Sequence, residues 1–416
     1  FAFQTAAHNW RLIGLEITQA PGLHDYALIE TDNSATTVAN LVSYLIIDRC
    51  YIHGTASGAV RRGVSFQVAS GAIVDSDIRE MHDQTASPGQ GSDSQAVGVW
   101  TSPGPLLIQN NFLSAASENM LFGGNDPSVA NMVPSDITIV GNHYWKDFTA
   151  WYGNGYVVKN LQEFKNAQRV LLDGNVIEYS WGDAQVGFAV LLTVRNQNGA
   201  CTWCVVQDMT VTHNLIQHAA SGIETTGSDD ANISLPDNRI LIQNNVLTDI
   251  NGTTWNGDGR GLLSLSDGGL AGLHADNITV DHNSIFANVA FLYFGDSGKI
   301  ANYQLTNNLG AYGNYGLIGN AVGSGSAAFS TYVTNAVYND LVMLTANGAN
   351  DGNTWPSGTF WNSTSGAGFL NYSGGNYQLT SGSKYHNAGT DGKDIGVWDW
   401  IMLNAETNKA LDGTYH

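Results

Sequence analysis

Apolar and polar positions alternate along this chain in short runs, and many of these runs end in one recurring phrase. The phrase is apolar-x-x-Asn-x-apolar, as in Ile108-Gln-Asn-Asn111-Phe-Leu113. Its successive asparagines stand 25 to 39 residues apart. That period is typical of stacked-coil architectures rather than of one globular core. The repeated asparagines are Asn111, Asn142, Asn175, Asn214, Asn245, Asn283 and Asn308.

The residue before each repeated asparagine belongs to a type that tolerates positive φ. These residues are Asn110, Gly141, Gly174, His213, Asn244, His282 and Asn307. We therefore predict a left-handed bend at each position, followed by asparagine side chains that hydrogen-bond from coil to coil as an asparagine ladder. In earlier coils Cys50 and Ser76 stand where asparagine is expected, so the ladder should fade there.

Apolar residues alternate before each bend, which is the period-2 pattern of a strand with one face inward. A further apolar run follows in most repeats and predicts a third strand, at residues 118–122, 186–192, 222–226, 261–265 and 290–294. Strands that pair with their copies in neighbouring coils form a parallel β-helix. About a dozen three-strand coils at ~4.8 Å each predict an all-β rod roughly 55 Å long.

The repeat runs from about residue 10 to 340 of 416, which favours one elongated domain over several globular ones. We predict a parallel β-helix over residues 1–340. Residues 341–416 should form the last coils and a C-terminal cap that covers the exposed strand edges. The N-terminal edge has no evident cap, so self-association through the ends is also expected.

Net charge limits the possible partners. The chain has 16 Lys plus Arg and 36 Asp plus Glu, a net charge of −20, and such a field repels nucleic acid and other polyanions. No apolar run approaches 18 residues, which argues against a membrane-spanning helix. The chain starts at Phe1, and together with the composition this predicts a secreted or cell-surface product.

Five segments carry a resemblance to a known group of proteins. They are residues 92–96, 117–124, 159–166, 180–185 and 387–396. They resemble bacterial secreted right-handed parallel β-helix repeat proteins of pectate-lyase-like fold, a group without an assigned activity. The resemblance implies a right-handed β-helix. The chain lacks the catalytic motifs of polygalacturonases and of pectate lyases, so neither activity is implied.

Polar residues on the third strands and their approaches are the candidates for a site. We predict Glu118, Glu163 and Asp183 as catalytic carboxylates, because glycoside cleavage needs a general acid and a base or nucleophile. Predicted substrate-binding residues are Lys159, Lys165, Gln185, Arg195, Asp93, Gln95 and Trp181. Asn119, Glu224, Arg260 and Asp267 are further polar residues in these segments.

Two functions remain open at this point. One is a polysaccharide-acting hydrolase or lyase that uses mid-rod carboxylates, with tryptophans stacked on sugar faces. The alternative is a non-catalytic surface or structural β-helix protein, glycan-binding or self-assembling, in which the same charges form a cross-coil ion-pair ladder.

The sequence predicts no cofactor or metal, although aspartates near Asp229 and Asp391 could hold calcium. Cys201 and Cys204 can form a disulfide or remain free thiols, both favoured over a zinc site. We expect Cys50 to be a small buried residue.

Overall fold

The computed structural model describes residues 1–416 except 84–91, 267–269, 271, 297, 346–350, 414 and 416. The protein is mostly β, with 46% strand and 7% helix. The candidate Asp267 lies outside the described residues. The strands form two long sheets, and the described pairings within them are parallel except for one short terminal hairpin. Long parallel sheets of this kind are consistent with a parallel β-helix.

Sheet A contains the predicted third strands and the strands that pair with them. Its strands are Ala2–Phe3, His24–Thr31, Ala59–Ser65, Gln95–Val99, Glu118–Phe122, Gln162–Phe164, Phe188–Leu192, Ser221–Thr225, Arg260–Leu265, Ala290–Gly295, Leu317–Gly319 and Gly323–Ser324. The last two form the antiparallel hairpin. The predicted third strands at residues 118–122, 186–192, 222–226, 261–265 and 290–294 are confirmed within two residues at each end.

Sheet B contains the strands on both sides of each bend. They are His8–Ile13, Glu16–Thr18, Val42–Asp48, Tyr51–His53, Val68–Val74, Asp77–Met81, Leu106–Gln109, Phe112–Ala115, Ser135–Val140, His143–Tyr144, Ala167–Asp173, Val176–Ser180, Val206–Thr212, Leu215–Ala219, Asn238–Gln243, Val246–Ile250, Asp276–Asp281, Ser284–Ala287, Ile300–Ala301, Gln304–Ala311, Val333–Thr334, Val337–Leu344 and Thr359–Asn362. A separate antiparallel pair joins Phe369–Asn371 and Asn376–Leu379.

The bends are left-handed, as predicted. Every residue before a repeated asparagine has a φ between +50° and +64°. The asparagine side chains that follow are hydrogen-bonded in one column. Asn111 Nδ2 donates to Asn142 Oδ1 at 2.9 Å, and the same bond recurs between each successive pair as far as Asn308. In earlier coils Ser76 replaces asparagine, and its hydroxyl accepts from the Cys50 backbone N–H at 3.0 Å.

The interior consists of stacked aliphatic side chains. Ile108, Ile139, Leu172 and Val211 occupy one register position in consecutive coils and are fully buried. Each such side chain contributes about 1.5–3 kcal/mol of hydrophobic stabilisation. Because side chains alternate along a strand, the residues between these buried positions point outward and are available for a site.

Part of the C-terminal segment, between residues 398 and 415, contacts the bends of sheet B, while its predicted role as a cap stays a prediction. Trp398 N donates to Asn244 Oδ1 at 3.3 Å, and Tyr415 reaches His143 at 3.2 Å. The helix Trp400–Leu411 buries Trp400 and Leu403 beside Val246.

The remaining helical segments are short: Val38–Asn40, Phe148–Trp151, Ser326–Tyr332 and Tyr372–Gly374. After the last strands of sheet A, the helix Ser326–Tyr332 places Phe329 and Tyr332 against Phe294. No helix in the described part of the chain is long and apolar enough to cross a membrane. Cys201 and Cys204 form a disulfide, while Cys50 is a buried free thiol.

Candidate functional site

A polar pocket of about 480 Å³ lies on the outer face of sheet A, beside the strands Gln162–Phe164, Phe188–Leu192 and Ser221–Thr225. We call it the carboxyl pocket. Its charged lining residues are Glu163, Lys165, Arg195, Glu224, Asp229 and Asp230. Its amide lining residues are Asn160, Gln185, Asn196, Gln197 and Asn232. Carboxylates and amides that line a concave surface are suited to binding hydroxyl-rich ligands.

Strand register places two glutamates of this pocket in line. Glu163 pairs with Leu191, and Leu191 pairs with Glu224 on the next strand. At ~4.8 Å per strand the two glutamate Cα atoms are roughly 10 Å apart. The residues flanking Glu163 turn inward, since Phe164 stacks on Phe122 in the core. The alternation of the strand therefore directs both carboxyl groups to the pocket.

Glu163 is almost fully buried and adjoins a second carboxyl group, that of Glu118. Burial raises the pKa of Glu163 to about 7; the Lys165 ammonium, 3.5 Å from its carboxylate, opposes this rise, while Glu118 adds to it. Burial also disfavours ionised Glu118, but the charges of Lys159 and Lys165 hold its pKa below the usual range. The pair therefore favours a proton on Glu163 and a charge on Glu118.

Glu224 is the second glutamate of the carboxyl pocket. Burial raises its pKa to about 7, while the Arg195 guanidinium favours the ionised form. The sequence predicts Glu224 as a polar residue of the third strands but gives it no catalytic role. The available signal was its position in the alternating strand 222–226, but its alignment with Glu163 depends on connection lengths that differ from coil to coil.

Three predicted substrate-binding residues surround Glu118 and do not line the carboxyl pocket. Lys159 forms ion pairs with Asp93 and with Glu118, the latter at 3.6 Å. Gln95 Nε2 donates to Glu118 Oε2 at 2.7 Å. These contacts place Asp93, Gln95 and Lys159 around the Glu118 carboxylate, where they stabilise its charge.

Three others do line the carboxyl pocket. Lys165 pairs with Glu163, and Arg195 pairs with Asp230 at 3.1 Å. Gln185 accepts a hydrogen bond of 2.5 Å from Asn160 Nδ2. Each of these groups presents polar atoms at the pocket, although each already has a partner in the protein.

Two predictions require correction. Asp183 is exposed and lines a neighbouring pocket, so the structure does not bring it together with Glu163. Trp181 is fully buried in an aromatic cluster with Trp151 and Trp255. A side chain without exposed surface cannot stack on a ligand, so Trp181 is a packing residue.

The aspartates considered for calcium are already engaged. Asp229 accepts a hydrogen bond from Asn196 N at 2.7 Å, and Asp391 contacts His282 at 3.3 Å. Among the residues that the structure describes, no group of three or more His, Cys, Asp or Glu is arranged to hold a metal ion. That the protein uses no cofactor stays a prediction.

The described geometry defines a class: a mostly β protein with long parallel sheets and a pocket of carboxyl and amide groups on one sheet. Among solved structures the chain is similar to a PL6 family polysaccharide lyase from Pseudopedobacter saltans. The two share 11% identity over 85% of this chain and 88% of that one, with a TM-score of 0.33. Neither a scan against protein-family models nor a search of curated proteins gave a match.

Proposed function

We propose that this protein is a secreted polysaccharide-acting enzyme, a glycoside hydrolase built on a right-handed parallel β-helix. One observation carries the proposal: Glu163 and Glu224 stand in line on one face of sheet A, and burial raises the pKa of each to about 7. Inverting hydrolases hold an acid and a base roughly 6.5–9.5 Å apart, with a water molecule between the base and the sugar. The Cα spacing of roughly 10 Å allows this separation.

The surroundings of each carboxyl group assign its role. Glu163 acts as the general acid, because burial and, to a smaller extent, the neighbouring Glu118 charge favour its protonated form against the opposing charge of Lys165. Burial raises the pKa of Glu224 to about 7 as well, but Arg195 and Arg260 favour its ionised form and no lysine among the described residues pairs with it, so we assign Glu224 the role of general base. A general acid with a pKa near the working pH is the arrangement that acid–base catalysis needs.

Charge favours a neutral glycan as substrate. Elimination by a lyase requires a uronate, whereas the net charge of −20 repels polyuronates. The cations of the carboxyl pocket, Lys165 and Arg195, are already paired with carboxylates of the protein. Secretion agrees with the disulfide between Cys201 and Cys204, because disulfides persist mainly in oxidising compartments.

The alternative is a non-catalytic surface or structural protein that binds glycans. It is favoured by the cation pairing of Glu118, Glu163 and Asp229 with Lys159, Lys165 and Arg195. In this alternative the charges stabilise neighbouring strands, as cross-strand ion pairs do.

A screen of purified protein against neutral and acidic polysaccharides tests the proposal. We expect new reducing ends from a neutral polysaccharide, without the 235 nm absorbance of an elimination product. Glu163→Gln and Glu224→Gln should each lower kcat by at least about 100-fold, because each removes a proton-transfer group.

The matched control is Glu16→Gln, which changes an exposed glutamate outside the carboxyl pocket and should leave turnover unchanged. Retained turnover in Glu163→Gln would remove that residue from the catalytic role. Absorbance at 235 nm would show a lyase instead.

A further inference from the structure

We propose that the pocket around Tyr152 and Asp183 is a second sugar-binding subsite, which takes a neutral sugar unit of the same polysaccharide chain. We call it the tyrosine subsite. It measures about 660 Å³ and is lined by Tyr152, Asn154, Tyr156, Gly182, Asp183 and Asn256 with two further glycines. The inference rests on the proposed polysaccharide-acting function, although binding can be measured without catalysis.

Tyr152 offers a supported aromatic surface. Its side chain is 44% exposed, and its ring stacks on Phe148 with centroids 4.6 Å apart. The buried Trp181 ring packs edge-on to it, with ring centroids 6.1 Å apart. A tyrosine fixed in this way can stack on the apolar face of a sugar ring with little loss of side-chain entropy.

Asp183 offers an unused acceptor beside this ring. Its carboxylate has no hydrogen bond or ion pair with any residue in the described part of the chain; although its surface is exposed, the surrounding pocket walls partly desolvate it and raise its pKa. Most other carboxylates near the carboxyl pocket are engaged, for example Asp229 with Arg195. A free carboxylate in a pocket can accept hydrogen bonds from sugar hydroxyls.

The backbone that carries Asp183 is fixed in place. Gly182 N donates to Trp255 O at 3.0 Å, and Asn256 Nδ2 donates to Gly182 O at 2.8 Å. Ala184 N donates to Val158 O at 3.1 Å. A Cβ at Gly182 would meet Asn256 O at 1.9 Å, so this close approach needs glycine. The acceptor is therefore held on a preorganised turn.

The tyrosine subsite and the carboxyl pocket are lined by neighbouring segments of the chain. The segments 152–160 and 182–188 contribute lining residues to both pockets. Asp183 and Gln185 are two positions apart on one turn, so the pockets are separated by no more than about 7 Å there. A glycan chain can therefore occupy both pockets at once. Because no cation lies beside the Asp183 carboxylate among the described residues, a neutral sugar fits this subsite better than a uronate.

The test is native affinity electrophoresis in gels that contain β-glucan, xylan, mannan or starch, each a neutral polysaccharide. At least one should retard the wild-type protein and Glu163→Gln alike. Tyr152→Ala should weaken that retardation at least about tenfold, whereas Tyr152→Phe, which keeps the ring, should largely restore it. Asp183→Asn should weaken it less. The matched control is Tyr315→Ala, an equally exposed tyrosine at 45% outside both pockets.

Each outcome of this test supports or overturns the tyrosine subsite. Retardation that survives Tyr152→Ala, or no retardation by any of the four polysaccharides, overturns the subsite. Retardation that depends on Tyr152 without new reducing ends supports the subsite and contradicts the proposed hydrolase. Circular dichroism of Tyr152→Ala checks that the fold is intact, as expected for an exposed side chain.

Discussion

At the scale of single residues, the main feature is a difference in protonation between neighbouring carboxyl groups. Glu118 and Glu163 are both buried, yet the pKa of one is lowered and that of the other is raised. Lys159 contacts Glu118, and Lys165 contacts Glu163, so the cations limit the cost of burial without removing it. Pairs of carboxyl groups with separated pKa values are typical of acid–base sites.

The raised pKa of Glu163 predicts a pH-dependent stability. In the unfolded chain this pKa is 4.5, and in the folded protein it is about 7. The stabilising contribution is therefore complete below pH 4.5 and is lost as the pH rises through 7. Glu163→Gln stays neutral, so its free energy of unfolding relative to wild type should increase between pH 5 and pH 8 by up to about 3 kcal/mol.

Urea unfolding at the two pH values measures this difference. Glu16→Gln, which replaces an exposed glutamate, serves as the control and should show no comparable change. An equal difference between Glu163→Gln and wild type at both pH values would contradict the predicted protonation of Glu163.

At the scale of structural elements, the hydrogen-bonded asparagine column joins neighbouring coils. The side-chain oxygen and nitrogen of Asn214 are both fully hydrogen-bonded. Its Oδ1 accepts from the backbone N–H and the side chain of Asn175, while its Nδ2 donates to Asn245 and to Leu172 O. Because the side chain is fully buried, no water can replace these partners.

Asn214→Ala should therefore lower the free energy of unfolding by about 3–5 kcal/mol, since it leaves several buried polar groups unpaired. Chemical denaturation of the purified variant measures the change. Asn404→Ala, on the exposed face of the helix Trp400–Leu411, should change stability by less than about 0.5 kcal/mol. A loss below about 1 kcal/mol for Asn214→Ala would show that the column contributes little.

At the scale of the whole molecule, the net charge determines which ligands can approach sheet A. The protein has a net charge of −20, and its carboxyl pocket lies beside strands of sheet A. The C-terminal segment contacts the bends of sheet B through Trp398 and Tyr415. Any long ligand must therefore approach sheet A through a negative field.

This field predicts how salt affects substrate preference. Turnover of a neutral polysaccharide should change little between about 0.01 and 0.15 M salt, because salt screens only interactions between charged groups and this substrate carries none. Binding to a polyuronate should be weak at low salt and should strengthen as salt screens the repulsion. Affinity electrophoresis at both salt concentrations measures this. Stronger binding to the polyuronate at low salt would contradict the neutral-substrate assignment.

Much of the fold is readable from local patterns, whereas the site is only partly readable. The bends at His213 and His282 follow from residue types that tolerate positive φ, and the strand Glu118–Phe122 follows from apolar alternation. Glu163 and Lys165 could be named as polar residues near the third strands, although the strand Gln162–Phe164 was not among the predicted strands. Trp181 was assigned wrongly, because nothing local distinguishes a tryptophan packed under a loop from one exposed to a ligand.

The sequence by itself determined the coil period, the left-handed bends and the inward faces of the strands, because these depend on residues near each other in the chain. Only the tertiary structure decided which carboxyl groups share a pocket. Glu163 and Glu224 are 61 positions apart, and their alignment depends on the lengths of two intervening connections. Burial and neighbouring charge then set their protonation, and both are properties of the assembled sheet rather than of any segment.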